Sequence, residues 1–146
     1  MKPYKSVYKE SEFDVSPENS FVKEFLGILA QVKIFHWQTY GYAEHTALGS
    51  YYDAMSDFID SFVESYQGEF GREYIKSFGK SDLIGLCDYS LDSDQPKDYI
   101  GNTLVWLKEL RKSFENKVPF NSTALQNIID EMIGETQKLS YLLTLK

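Results

Sequence analysis

Apolar positions along this chain repeat with a helical period. Phe21, Phe25, Ile28, Leu29 and Val32 recur at spacings of three and four, and Val22, Leu26, Ala30 and Trp37 widen the stripe. Just ahead, Ser16 can cap a helix and Pro17 suits its first turn, so a first helix is predicted from about Pro17 to Tyr40. At about 100° per residue its apolar arc exceeds half the circumference, which suggests burial on two sides, against its own bundle and against a second subunit.

Gly41 and Tyr42 interrupt the pattern, and a second helix is predicted from Ala43 or Glu44 to just before Gly68, with Leu48, Tyr52, Met55, Ile59, Phe62 and Tyr66 as its inward stripe. Asp53, Asp57, Asp60 and Glu64 fall on the opposite face within an arc of roughly 60°. The stretch from Gly68 to Asp92 is rich in Gly, Ser and charge and reads as a connector carrying at most one short helix. A third helix is predicted from Asp94–Pro96 to Val118, burying Ile100, Leu104, Leu107, Leu110 and Phe114. Asn121 or Ser122 can cap a fourth, whose inward positions are Leu125, Ile128, Met132, Leu139 and Leu142.

Four helices of roughly 20 residues, each about 30 Å long, with two short turns and one long second-to-third crossover, predict an all-α four-helix bundle. Strand signals are nearly absent. Residues 1–15 read as an N-terminal extension and 16–146 as one domain.

Composition narrows the functions open to such a bundle. The 146 residues are 42% hydrophobic and 16% aromatic, enough for a core without metal or disulfide staples. Asp and Glu number 22 against 15 Lys and Arg, a net charge of −7, and no basic face is visible for a phosphate backbone, so nucleic acid is not an expected partner. The longest apolar runs fall far short of a membrane span, and Met1–Lys5 leads into no apolar signal core, so the expected location is the cytoplasm. Cys87, the single cysteine, is expected to pack rather than to do chemistry.

The two histidines, His36 and His45, lie on either side of the first turn. Each alone fits a satisfied boundary residue, yet imidazole is also a first-row metal ligand, and carboxylates add the hard oxygens that suit iron. Asp60 and Glu64 supply such a pair at i, i+4, although acidic pairs of this kind also occur simply as solvated surface. His45 and Asp60 stand 15 residues apart on one helix, roughly 22 Å along its axis. One chain cannot join them, whereas a second copy packed antiparallel across a two-fold axis would bring the histidine end of one subunit to the carboxylate end of the other, twice per dimer.

At these positions the sequence resembles the Dps-like branch of the ferritin-like superfamily. The resemblance rests on His36-Trp37-Gln38-Thr39-Tyr40-Gly41, then His45, Asp60 and Glu64, within about Phe21 to Gly68. It implies a ferritin-like four-helix bundle with iron as the bound metal, in a di-iron or mono-iron ferroxidase centre that uses peroxide or dioxygen. The implied ligands are His36 and His45 from one subunit and Asp60 and Glu64 from its mate, with Trp37 close by. It further implies iron storage, protection from oxidative stress and at least a homodimer, with a dodecameric shell as the larger assembly. Two departures stand out: the Gly41–His45 segment is shorter than the family's usual spacing, and the basic DNA-binding tail of some relatives is missing, so DNA protection is not carried over. Short acidic chains of this kind also occur among phage-encoded ferritin-like proteins, which leaves a non-catalytic structural or interaction bundle as the alternative.

Glu135 falls between Met132 and Leu139 on the predicted inward stripe, where a charge requires a partner: a tyrosine, a lysine, buried water or a metal. The Glu-x-x-His spacing of intrabundle di-iron sites is absent. No Ser/His/Asp or Cys/His set and no phosphate-cradling glycine motif is present.

Overall fold

The computed structural model describes residues 21–72, 75, 84–116 and 121–145. Within them lie four helices and no strand: α1 (Phe21–Gln38), α2 (Tyr42–Phe70), α3 (Gln95–Asn116) and α4 (Thr123–Leu142). The fold is all-α, as the periodicity predicts. The extension expected at residues 1–15 and the cap expected at Ser16-Pro17 lie outside the described residues, as does part of the connector.

Helix α2 is longer than expected. Its 29 residues span about 43 Å at 1.5 Å per residue, because the chain continues through Gly68 to Phe70. It ends at Gly71, whose φ of 101° a side chain would resist and whose N–H bonds the Gln67 carbonyl. At the start of α4, Ser122 is the cap, its hydroxyl accepting from the Leu125 N–H.

Contacts between rings set the direction of each helix. Phe114, near the end of α3, meets Phe21 at the start of α1 and Tyr66 near the end of α2. Tyr99, near the start of α3, meets Phe35 near the end of α1. Tyr51 of α2 bonds Thr136 of α4. Around the bundle the order is therefore α1, α2, α4, α3, each helix antiparallel to both neighbours. The α2-to-α3 connection must return along the whole bundle, and its described part lies on α1. Gln31, buried in α1, donates to the Cys87 carbonyl and accepts from the Cys87 N–H, while Gln38 accepts from the Tyr89 N–H and donates to Asp88.

The core differs from the predicted stripes by small rotations. On α2 it is Tyr51 that is buried, with Tyr52 half-buried, since α2 packs against α4 on one flank and α1 on the other. On α4, Ile129 and Thr136 point inward where Ile128 and Glu135 were expected. Thr136 is tolerated there because its hydroxyl meets both the Tyr51 phenol (2.9 Å) and the Met132 carbonyl (2.7 Å). Glu135 sits half-buried beside Lys138 on the edge of a groove of about 420 Å³ between α2 and α4. Trp37, expected on the wide apolar arc, is 66% exposed. Cys87 is exposed as well; Gln31 bonds its main chain, and its thiol lies 3.5 Å from Gln31 Oε1 and 3.2 Å from Gln95 Nε2.

Candidate functional site

The α1–α2 turn is short because α1 closes with a Thr39 N–H bond to the Phe35 carbonyl and α2 opens at Tyr42. Gly41 holds the N-cap position with extended backbone (φ −94°, ψ 125°) and no side-chain cap. In place of a cap, the Thr39 hydroxyl accepts from the Gly41 N–H and donates to the Glu44 carboxylate. The Tyr89 phenol of the crossover lies beside that carboxylate; burial first, then Glu44, pushes it up to about 12.

Across this turn His36 and His45 come together. Their rings stack with centroids 3.9 Å apart and planes 15° from parallel. Nδ1 of His36 lies 2.7 Å from the His45 carbonyl oxygen, and Nδ1 of His45 lies 2.8 Å from the His36 carbonyl oxygen. A carbonyl can only accept, so each Nδ1 must carry the hydrogen, and in the neutral ring each Nε2 then keeps its lone pair. The His36 carbonyl belongs to the last turn of α1, where helix geometry leaves acceptors without intrahelical donors, and the His45 ring supplies one.

Gly49 makes the stack possible. A Cβ there would lie 2.9 Å from Cε1 and 3.2 Å from Nδ1 of His36, too close for either to stay in place. It stands four residues after His45, on the same helix face, a spacing visible in the sequence once the histidines are paired. Sequence reasoning singled out neither Gly49 nor the Thr39–Glu44 bond.

The carboxylates stand elsewhere. Asp60 and Glu64 are exposed on α2, as are Asp53 and Asp57, so the acidic face lies where the pattern predicts. The structure pairs the two histidines and leaves Asp60 and Glu64 apart from them; among the described residues no group of three or more His, Cys, Asp or Glu side chains converges. Trp37 is covered in part by Lys33, whose Nζ lies 5.8 Å from its ring centroid and 4.2 Å from that of Tyr52. No described helix is long and apolar enough to cross a membrane.

Compared with known proteins, residues 36–143 match a family of unknown function, DUF5856. That span opens at His36 and contains His45, Gly49, Asp60 and Glu64. The chain is also 29% identical over 147 residues to the uncharacterized 14.6 kDa protein in the mobD-ri intergenic region of Enterobacteria phage T4, covering 94% of this chain and 99% of that one. No solved structure matches. The family match covers most of the chain, and the protein belongs to DUF5856.

Proposed function

We propose that this protein is a ferritin-like four-helix bundle that takes ferrous iron as its substrate and oxidises it at sites shared across a dimer. Each site would join His36 and His45 of one chain to Asp60 and Glu64 of a second copy. The observation that carries this reading is the pair of Nδ1–H bonds to main-chain carbonyls. Histidines that bind metals almost always donate their second ring N–H in this way, which fixes the tautomer and presents Nε2. Two neutral imidazoles with two carboxylates make a mixed nitrogen and oxygen donor set suited to ferrous and ferric iron. The ferritin-like part draws support from the order α1, α2, α4, α3 with one long crossover.

The proposed copy would lie antiparallel to the first. His45 of one chain is level with Asp60 of the other when two α2 helices cross antiparallel around Tyr52 and Asp53. Leu26 and Trp37, exposed at 42% and 66%, are available for such an interface. The chain's residues would hold the iron and set its potential, while peroxide or dioxygen accepts the electrons and the ferric product is stored or released.

The test adds ferrous iron and peroxide to the protein and follows ferric absorbance. Wild type should turn over, His36→Ala and Asp60→Ala should not, and an equal mixture of the two variants should regain about one quarter of the wild-type rate, since random pairing leaves one intact site in half the dimers. Equal rates in all samples would remove the enzymatic reading.

A second reading rests on the same contacts. Both Nδ1 atoms tie α1 to α2 whether or not metal binds, so the pair can serve as a clasp in a non-catalytic structural or interaction protein. The phage T4 relative accords with a phage origin for such a bundle. Under this reading the histidine variants lose thermal stability and iron changes nothing.

A further inference from the structure

Along the middle of the bundle α1 and α3 touch only briefly, and a cavity of about 380 Å³ opens between them. Its floor is apolar: Ile28 of α1 and Trp106 of α3 are 4% and 6% exposed. Ring contacts flank it, with Tyr99 set edge-on to Phe35 at 5.9 Å and Trp106 edge-on to Phe25 at 5.4 Å. Val105, 61% exposed, stands at the rim.

Among the described residues that line the cavity, Glu24 is the one charged side chain. Among the described residues its carboxylate has neither an ion pair nor a hydrogen bond. Burial raises its pKa above the usual carboxylate range, and only neighbouring Lys23 opposes that. A half-buried carboxylate against apolar walls is stabilised by a cation brought to it and left worse by a neutral apolar guest, which removes its remaining water. With one carboxylate beside the neutral side chains of Tyr99, Asn102 and Thr103, the lining carries little charge to hold a hard metal ion. The walls instead suit hydrocarbon and the faces of aromatic rings suit positive charge.

We propose that this cavity binds a small organic cation, an alkylammonium whose charge meets Glu24 and whose hydrocarbon body lies on Ile28, Val105 and Trp106. The site is independent of the histidine pair and of any iron chemistry there.

Butylammonium is the probe, with butanol as its neutral isostere and sodium chloride matching ionic strength. The full-length chain carries Trp37→Phe, so that the remaining tryptophan emission reports Trp106. Millimolar butylammonium should shift that emission saturably and butanol should not. Glu24→Gln should weaken binding by about tenfold or more, the loss of one charge-assisted contact. Val105→Lys leaves the carboxylate in place and puts a competing cation at the rim, and it should weaken binding too. Equal response to butanol, unchanged affinity in both variants, or no saturable shift would each overturn the proposal.

Discussion

The two short helix junctions, at opposite ends of the bundle, are closed by different chemistry. Between α3 and α4 the chain uses ordinary capping groups. Ser122 accepts from the Leu125 N–H, its own N–H bonds the Phe114 carbonyl, and the Gln126 amide reaches that carbonyl at 2.6 Å. Between α1 and α2 the N-cap Gly41 has no side-chain cap; Thr39 bonds the Gly41 N–H and Glu44, and the only two histidines of the chain add a second, reciprocal tie. A hydroxyl or an amide can satisfy a helix end as well as an imidazole can. Nothing in closing a turn calls for two stacked rings with both Nε2 lone pairs kept, so the difference between the junctions marks where function is to be sought.

The largest break in that comparison should come from Gly49→Ala. The added Cβ meets Cε1 of His36 at 2.9 Å, so the ring must shift, which strains its stack and its bond to the His45 carbonyl. Overpacking of this kind costs about 1–3 kcal/mol, to be read from the denaturant midpoint. Nitrogen chemical shifts of both imidazoles should report loss of the fixed tautomer. An unshifted spectrum would mean that the rings are not held by this contact. Ser122→Ala should cost about 1 kcal/mol, the usual worth of a cap, and leave both histidine spectra unchanged. A histidine response to that distant substitution would show that the two junctions do not act separately.

The same contrast explains what could be read in advance. Helix number and the Ser122 cap were legible because spacing and capping are local, and the exposed row Asp53, Asp57, Asp60 and Glu64 follows from 100° per residue. The rotation that buries Tyr51 beside Tyr52, and Thr136 rather than Glu135, depends on which neighbours flank each helix, and periodicity does not carry that. Nearness of His36 and His45 follows from a short turn, whereas their reciprocal bonds need the backbone of both helix ends. Gln31 and Gln38, which lay the crossover on α1, carry no periodic signal at all, because polar contacts between residues more than 50 positions apart leave no pattern along the chain. Asp60 and Glu64 are exposed on α2, and among the described residues they join no cluster with the histidines.

The smallest effect should come from Arg111, which bridges α3 and α4 on the outer surface. Its guanidinium meets Asp130 through Nε at 2.7 Å and Nη2 at 3.4 Å, and Glu115 through Nη1 at 3.0 Å. Two-pronged geometry favours the contact, but the Arg111 and Asp130 side chains are 32% and 49% exposed, so water and salt screen the attraction. Arg111→Ala should therefore cost about 0.5 kcal/mol at low salt, and most of that should vanish near 1 M salt, where the Debye length is about 3 Å. The losses in Gly49→Ala and Ser122→Ala should persist at the same salt, because a steric clash and a missing cap are not screened. A salt-insensitive loss in Arg111→Ala would instead assign that residue a packing role through its hydrocarbon stem.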